Sequence, residues 1–156
     1  MARQSVQTSA DDTGRNFIDS DEAIADLIAH TRRIAVLGIK PERQANQPAF
    51  YVPHYLASSG FEIIPVPVYF PEVKEILGRP VYRRLIDVPG EVDLVEVFRR
   101  PKDIEMHVDD IIAKRPKAVW FQLGIRNDAA AQRLAGAGIK VVQDRCLMVE
   151  HRRLAR

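Results

Sequence analysis

One cysteine, Cys146, stands in a chain of 156 residues, so no disulfide can close within it, and the composition suits a reducing compartment, with the cytoplasm as the expected location. Beside Leu147 and Met148, this lone thiol reads as a small buried residue rather than a nucleophile. No apolar run reaches the ~18 residues of a membrane-spanning helix, so no membrane partner is expected. An excess of one charge is also missing. Twenty-three basic residues face 21 acidic ones, a net charge of +2, which gives no general nucleic-acid footprint. The four histidines, His30, His54, His107 and His151, are too scattered for a metal set. Gly-x-Ser-x-Gly is absent, and with it the nucleophile elbow of a hydrolase. No complete catalytic set can be assembled. The opening segment, residues 1–20, mixes Arg3, Asp11, Asp12 and Arg15 with small polar residues and has no apolar core of signal-peptide length. It reads as a flexible arm, which leaves residues 21–156 as a single domain.

The rest of the chain alternates between two apolar periods. Asp21 and Glu22 after Ser20, followed by Ile24, Leu27 and Ile28, predict a capped amphipathic helix ending near His30. Residues 34–37 form a short apolar run bounded by charge and glycine, the pattern of a buried parallel strand. Residues 48–59 suit a helix with Pro48 in its first turn, Pro53 early within it and Gly60 beyond it. A second strand is expected over 61–68, with regular pairing stopping near Ile64 because Pro65 and Pro67 lack ladder donors. Residues 69–82 read as a connection with one short extended piece, and 83–86 as a single helical turn. Strands follow at 93–98, 118–123 and 140–143, with helices at 101–115, from Asn127 through Leu134, and in the C-terminal segment after Asp144. Glu96 interrupts the apolar run of its strand. This order predicts an α/β, Rossmann-like, doubly wound fold: a mainly parallel open sheet with helices on both faces and a binding crevice at the carboxyl ends of the strands.

The turn after the first strand is the place where such folds hold phosphate, on unpaired backbone N–H groups and a helix N-terminus. Here it reads Gly38-Ile39-Lys40-Pro41-Glu42-Arg43. It has only the first glycine of a dinucleotide fingerprint and lacks the Gly-Lys-Ser ending of a P-loop. Basic pairs at Arg32-Arg33, Arg83-Arg84, Arg99-Arg100 and Arg152-Arg153 all fall at element ends, where solvation competes with phosphate contact as an explanation.

The run Ala118-Val119-Trp120-Phe121-Gln122-Leu123-Gly124-Ile125-Arg126-Asn127, with residues 141–151 around Asp144-Arg145-Cys146, resembles the small bacterial CoA-binding domain proteins. Those proteins are similar to the nucleotide-binding domain of the succinyl-CoA synthetase alpha subunit. Arg79-Pro80-Val81-Tyr82 and Asp93-Leu94-Val95-Glu96-Val97-Phe98-Arg99-Arg100-Pro101 extend the resemblance to roughly residues 33–151. It departs at Ile39 and Lys40, where family members carry a small residue and a serine.

By position, the resemblance implies that Gly38, Ile39, Lys40 and Arg43 meet the pyrophosphate or 3′-phosphate of coenzyme A, with Pro48 and Ala49 at the helix start beneath it. It implies that Pro65, Val66 and Pro67 flank the adenine, that Val97, Phe98 and Arg99 border the pantetheine, and that Leu123, Gly124 and Asn127 form the far wall. The succinyl-CoA synthetase alpha subunit keeps its phosphorylated histidine in a second domain with no counterpart here. The expectation is therefore a non-catalytic protein that binds CoA or acyl-CoA, as a carrier, sensor or regulatory module. Two alternatives stay open: a subunit of a CoA ligase-type enzyme completed by a protein partner, and a regulatory domain for NAD or ATP. A homodimer using Trp120, Phe121 and the C-terminal segment is a further expectation.

Overall fold

The computed structural model describes residues 10–154. Five parallel strands form the central sheet: β1 (Arg33–Leu37), β2 (Glu62–Val66), β5 (Leu94–Val97), β6 (Ala118–Phe121) and β7 (Lys140–Val142), in the spatial order β2-β1-β5-β6-β7. The connection reverses direction between β1 and β5, so the carboxyl ends of these two strands define the switch point at which doubly wound sheets open a crevice. Two further strands, β3 (Glu75–Ile76) and β4 (Arg79–Pro80), pair antiparallel as a small hairpin outside the sheet. The expected single extended piece is thus two, joined through Leu77 and Gly78, both with positive φ.

Among the described residues six helices surround the strands: α1 (Ala10–Arg15), α2 (Asp21–Ala29), α3 (Pro48–Ser58), α4 (Glu105–Lys114), α5 (Asp128–Gly136) and α6 (Leu147–Leu154). One apolar layer joins Val108 and Ile111 of α4 and Leu134 of α5 to Leu37, Val97 and Phe121. The other joins Ile24 of α2, Leu56 of α3 and Leu147 of α6 to Val36, Leu94 and Trp120. Alternation along each strand sends successive side chains into opposite layers, which is why the strands read as nearly continuous apolar runs. Trp120 and Phe121 are fully buried on opposite faces of β6. Neither can form a dimer surface, contrary to the expectation.

Proline positions are resolved by hydrogen bonding rather than by breaking elements. β2 pairs with β1 through Val66, beyond the expected stop, with Pro65 opposite Val36. Consecutive backbone groups of a strand point to opposite sides; the carbonyl of Val66 accepts from Gly38 on the inner side, and that of Pro65 accepts from Tyr82 on the outer side. The missing proline N–H therefore falls on the outer edge, where the ladder does not need it. In α3, Pro53 removes the donor that would serve the carbonyl of Ala49. That carbonyl instead accepts from the N–H of Lys40 at 3.1 Å, which ties the turn after β1 to the helix.

Part of the segment read as a loose arm is structured. Ser20 caps α2 by accepting from the N–H of Ala23. Phe17 bridges to Val141, the N–H of Ile18 donates to the Val141 carbonyl at 2.9 Å, and the N–H of Val141 donates to Asn16 at 2.7 Å. Apolar Phe17 and Ile18 carry this docking, and the polar composition around them hides it. Residues 1–9 lie outside the described residues.

Candidate functional site at the carboxyl edge of the sheet

The turn at 38–40 begins with Gly38 at φ +89°. A Cβ placed there would lie 2.2 Å from the Phe98 carbonyl oxygen and 3.4 Å from Cδ of Arg99. The β1 turn and the β5 exit are thus in direct backbone contact at the switch point, a fit that only glycine allows. Its amides are mostly engaged: Gly38 donates to Val66 and Lys40 to Ala49. The Ile39 N–H has no partner among the described residues, whereas its side chain is 1 % exposed and packs in the α3 layer. Lys40 is half-buried and makes no ion pair among the described residues. Pro48 starts α3 with its fixed φ and needs no N–H partner there, and Ala49 behind it is buried.

Arg43 lies in a short 3-10 turn (Glu42–Gln44). Its guanidinium donates to Glu72 at 2.6 Å and covers the Phe70 ring at 4.8 Å. The neighbouring Glu42 accepts from the N–H of Leu77. These contacts fold the loop after β1 against the loop after β2. Arg83 holds the latter by donating to the carbonyls of Tyr69, Phe70 and Val73.

At the β5 exit, Val97 is core and Phe98 lines the opposite layer. Arg99 is only 9 % exposed. Its Nε donates to His107 Nε2 at 3.1 Å, Nη1 to the Tyr69 hydroxyl at 3.3 Å and Nη2 to Met106 Sδ at 3.5 Å. It also lies 5.4 Å from the centre of the Tyr69 ring. Burial first, and the adjacent guanidinium second, push His107 below its ordinary pKa, so the imidazole is neutral and can accept this bond. Arg99 in turn holds the Tyr69 hydroxyl below the usual phenol range by hydrogen bonding and by its charge.

The remaining expected residues divide sharply. Pro65 and Val66 are inside β2 and contribute backbone to the sheet, so only Pro67, buried at the exit, is placed to border a ligand. Asn127 caps α5 by accepting from Ala130 and donates to the Pro101 carbonyl at 2.9 Å, a structural use of its whole amide. Gly124 donates its N–H to Asp144 at 2.7 Å. Leu123 is 65 % exposed at the rim, as are Met106 at 69 % and Tyr69 at 58 %. Sequence reading missed Tyr69, Met106 and His107. A guide was available in the amphipathic pattern of α4, whose first turn places Met106 and His107 beside the Arg99 strand end.

Past the ends of β6 and β7 lies a depression of about 370 Å³ bordered by Leu123, Arg126, Gln143 and Cys146, which does not include Gly38, Lys40 or Arg99. A larger cavity of about 1150 Å³ lies at the opposite edge, around Asp21, Arg33, Glu62 and His151. Two of its arginines are paired, Arg153 with Asp21 and Arg33 with Glu62. The close-approach glycine lies at the carboxyl edge, beside Lys40 and Arg99, which have no carboxylate partner among the described residues, and this makes that edge the candidate site.

Residues 32–152 match the family model of the CoA binding domain. The chain belongs to that family. The protein YneT of Bacillus subtilis (strain 168) is 31 % identical over 134 residues, covering 85 % of this chain and 94 % of YneT. A solved structure from Thermus thermophilus is 38 % identical with a TM-score of 0.80, covering 87 % of this chain and 99 % of that one. The dinucleotide-forming acetyl-coenzyme A synthetase 1 of Ca. Korarchaeum cryptofilum, at 18 % identity and a TM-score of 0.61, shares the fold. The match covers 75 % of this chain but 27 % of the synthetase.

Proposed function

We propose that this CoA-binding-domain protein binds CoA or an acyl-CoA at the carboxyl edge and acts as a carrier, sensor or regulatory module in the cytoplasm. The observation that carries the reading is the switch-point contact between Gly38 and the β5 exit, where a backbone that admits no Cβ lies beside the Arg99 side chain and leads into the loop that carries Lys40 and Arg43. Oxygen-rich phosphates need such donors and cations at close range. The exposed Tyr69, Met106 and Leu123 offer the apolar contacts that a pantetheine or acyl chain requires. The residues therefore fit the coenzyme's two chemical halves. Gly38, Ile39, Lys40 and Arg43 would receive phosphate, Arg43 exchanging its exposed bond to Glu72 for it, and Pro67 would border the base.

Calorimetry with CoA, 3′-dephospho-CoA and NAD tests the reading. Selective heat for CoA is the expected result, and equal or absent heats for all three remove it. Lys40→Ala should weaken CoA more than adenosine, because it deletes a charge facing phosphate. A second reading, a ligase-type subunit completed by a partner chain, draws support from the larger Korarchaeum synthetase, of which the matching part is about a quarter. Co-purification with a ligase-like chain would favour it.

A further inference from the structure

Arg99 is the one member of the four arginine pairs that is buried. A guanidinium carries five N–H donors, and three of them are used here, by His107, Tyr69 and Met106. All three partners are neutral. No carboxylate lies within ion-pair distance of Arg99 among the described residues. The acidic groups nearby are engaged elsewhere: Asp103 accepts from Arg100 at 2.8 Å and Asp110 from Arg84 at 3.0 Å. A buried charge without a counter-ion is costly unless something neutralises it.

The surroundings fix the fork and leave its charge available. His107 takes Nε, Tyr69 lies against the guanidinium, and Cδ passes 3.4 Å from the position of a Gly38 Cβ. Arg99 thus stands beside the glycine turn, on the α4 side of the sheet. The turn and Lys40, by contrast, are tied to α3 on the other side. Exposed Tyr69 and Met106 cover the guanidinium and stand between it and solvent, so an anion reaches it by displacing one of these two side chains.

We infer that Arg99, oriented by His107 and Tyr69, is a preformed seat for one anionic oxygen group of the ligand, separate from the contacts made at Lys40 and Arg43. The proposal deepens the CoA reading and rests on it only for the molecule that delivers the anion. That group is either the pyrophosphate of the nucleotide or a carboxylate at the far end of the acyl chain, since both match a guanidinium fork.

The test separates the seat from its occupant. Inorganic pyrophosphate and succinate are titrated into the full chain while His107 is followed by imidazole NMR. An anion on Arg99 offsets the charge that disfavours the imidazolium, so the His107 midpoint should move up. Asp103 and Asp110, the other charges felt by His107, stay constant in this experiment. Arg99→Met should abolish the movement and weaken the binding. Arg99→Lys, which keeps the charge but not the fork, should bind about tenfold more weakly and serves as the readout if the methionine variant does not fold. Unchanged anion binding in a folded variant overturns the proposal, as does a His107 midpoint that neither anion moves.

The source is read from CoA, acetyl-CoA and succinyl-CoA. Equal weakening of all three by the Arg99 substitution assigns the seat to pyrophosphate. Loss only of a preference for succinyl-CoA over acetyl-CoA assigns it to a carboxylate. Weakening of none of them counts against the seat. If pyrophosphate moves the His107 midpoint of the wild-type chain but no CoA species binds, the CoA reading fails and the anion seat stands.

Discussion

Gly38 leaves no freedom to substitution, because its left-handed φ and its 2.2 Å approach to the Phe98 carbonyl oppose any side chain together. Neither obstacle can relax cheaply, since the opposing atom is backbone. Gly38→Ala should lower unfolding stability by about 3 kcal/mol, read as a lower denaturant midpoint with an unchanged slope. A variant within 0.5 kcal/mol of the parent, a bound taken from ordinary surface substitutions, would show that the two exits are not in contact. Glu96 is a second residue whose consequence is direct. Both its carboxyl oxygens are buried without partners, between Val36 and Trp120 in register. Burial raises its pKa from the ordinary 4.5 to about 8, so the folded chain holds it neutral. Below pH 4.5 both folded and unfolded chains keep the proton. As pH rises from there toward 8 the unfolded chain ionises and the folded chain does not, so stability should fall by ~1.4 kcal/mol per pH unit. Urea denaturation across that range should show the slope in the parent and lose this component in Glu96→Gln. A slope of equal size in both would remove Glu96 as its source.

Element boundaries follow from where backbone groups find partners, and this decides what the sequence could reveal. The alternation of strands and helices was legible because buried parallel strands and amphipathic helices leave distinct apolar periods. The length of β2 was not, because a one-residue rule about proline cannot see that Pro65 turns its missing donor outward toward Tyr82. The β3–β4 hairpin was hidden for a similar reason: two-residue strands carry no period. Asn127 shows the same limit in the site. The family resemblance implied a ligand contact, yet the cap of α5 and the Pro101 carbonyl occupy its side chain. Removing both contacts with Asn127→Ala should cost about 1 kcal/mol, whereas Asn127→Asp keeps the acceptor of the cap and should recover most of it. Thermal denaturation of the two variants checks this. Equal losses would place the stabilisation in the bond to Pro101 rather than in the cap.

At the scale of the whole molecule, chemistry separates to the two ends of one sheet. The amino ends of the strands hold ion pairs, Arg33 with Glu62 and Lys117 with Asp93, whereas the carboxyl ends leave Lys40 and the buried Arg99 without carboxylate partners among the described residues. The general location of the site was therefore legible in the topology, but the roles of Tyr69, Met106 and His107 were not, because they converge only after loops from β2, β5 and α4 meet. The same topology leaves two sheet edges to be covered. The segment through Tyr82 runs along β2, and the segment through Phe17 and Ile18 runs along β7. An uncovered edge presents a row of free donors and acceptors to other chains. Deleting residues 1–18 would expose the outer side of β7, including the carbonyl and N–H of Val141. The truncated chain should lose stability and self-associate with rising concentration, as measured by sedimentation velocity, while the candidate edge at β1 and β5 keeps its geometry. A truncated chain that stays as monomeric and as stable as the parent would show that this edge needs no cover, and that the contacts of Asn16 and Ile18 with Val141 contribute little to the fold.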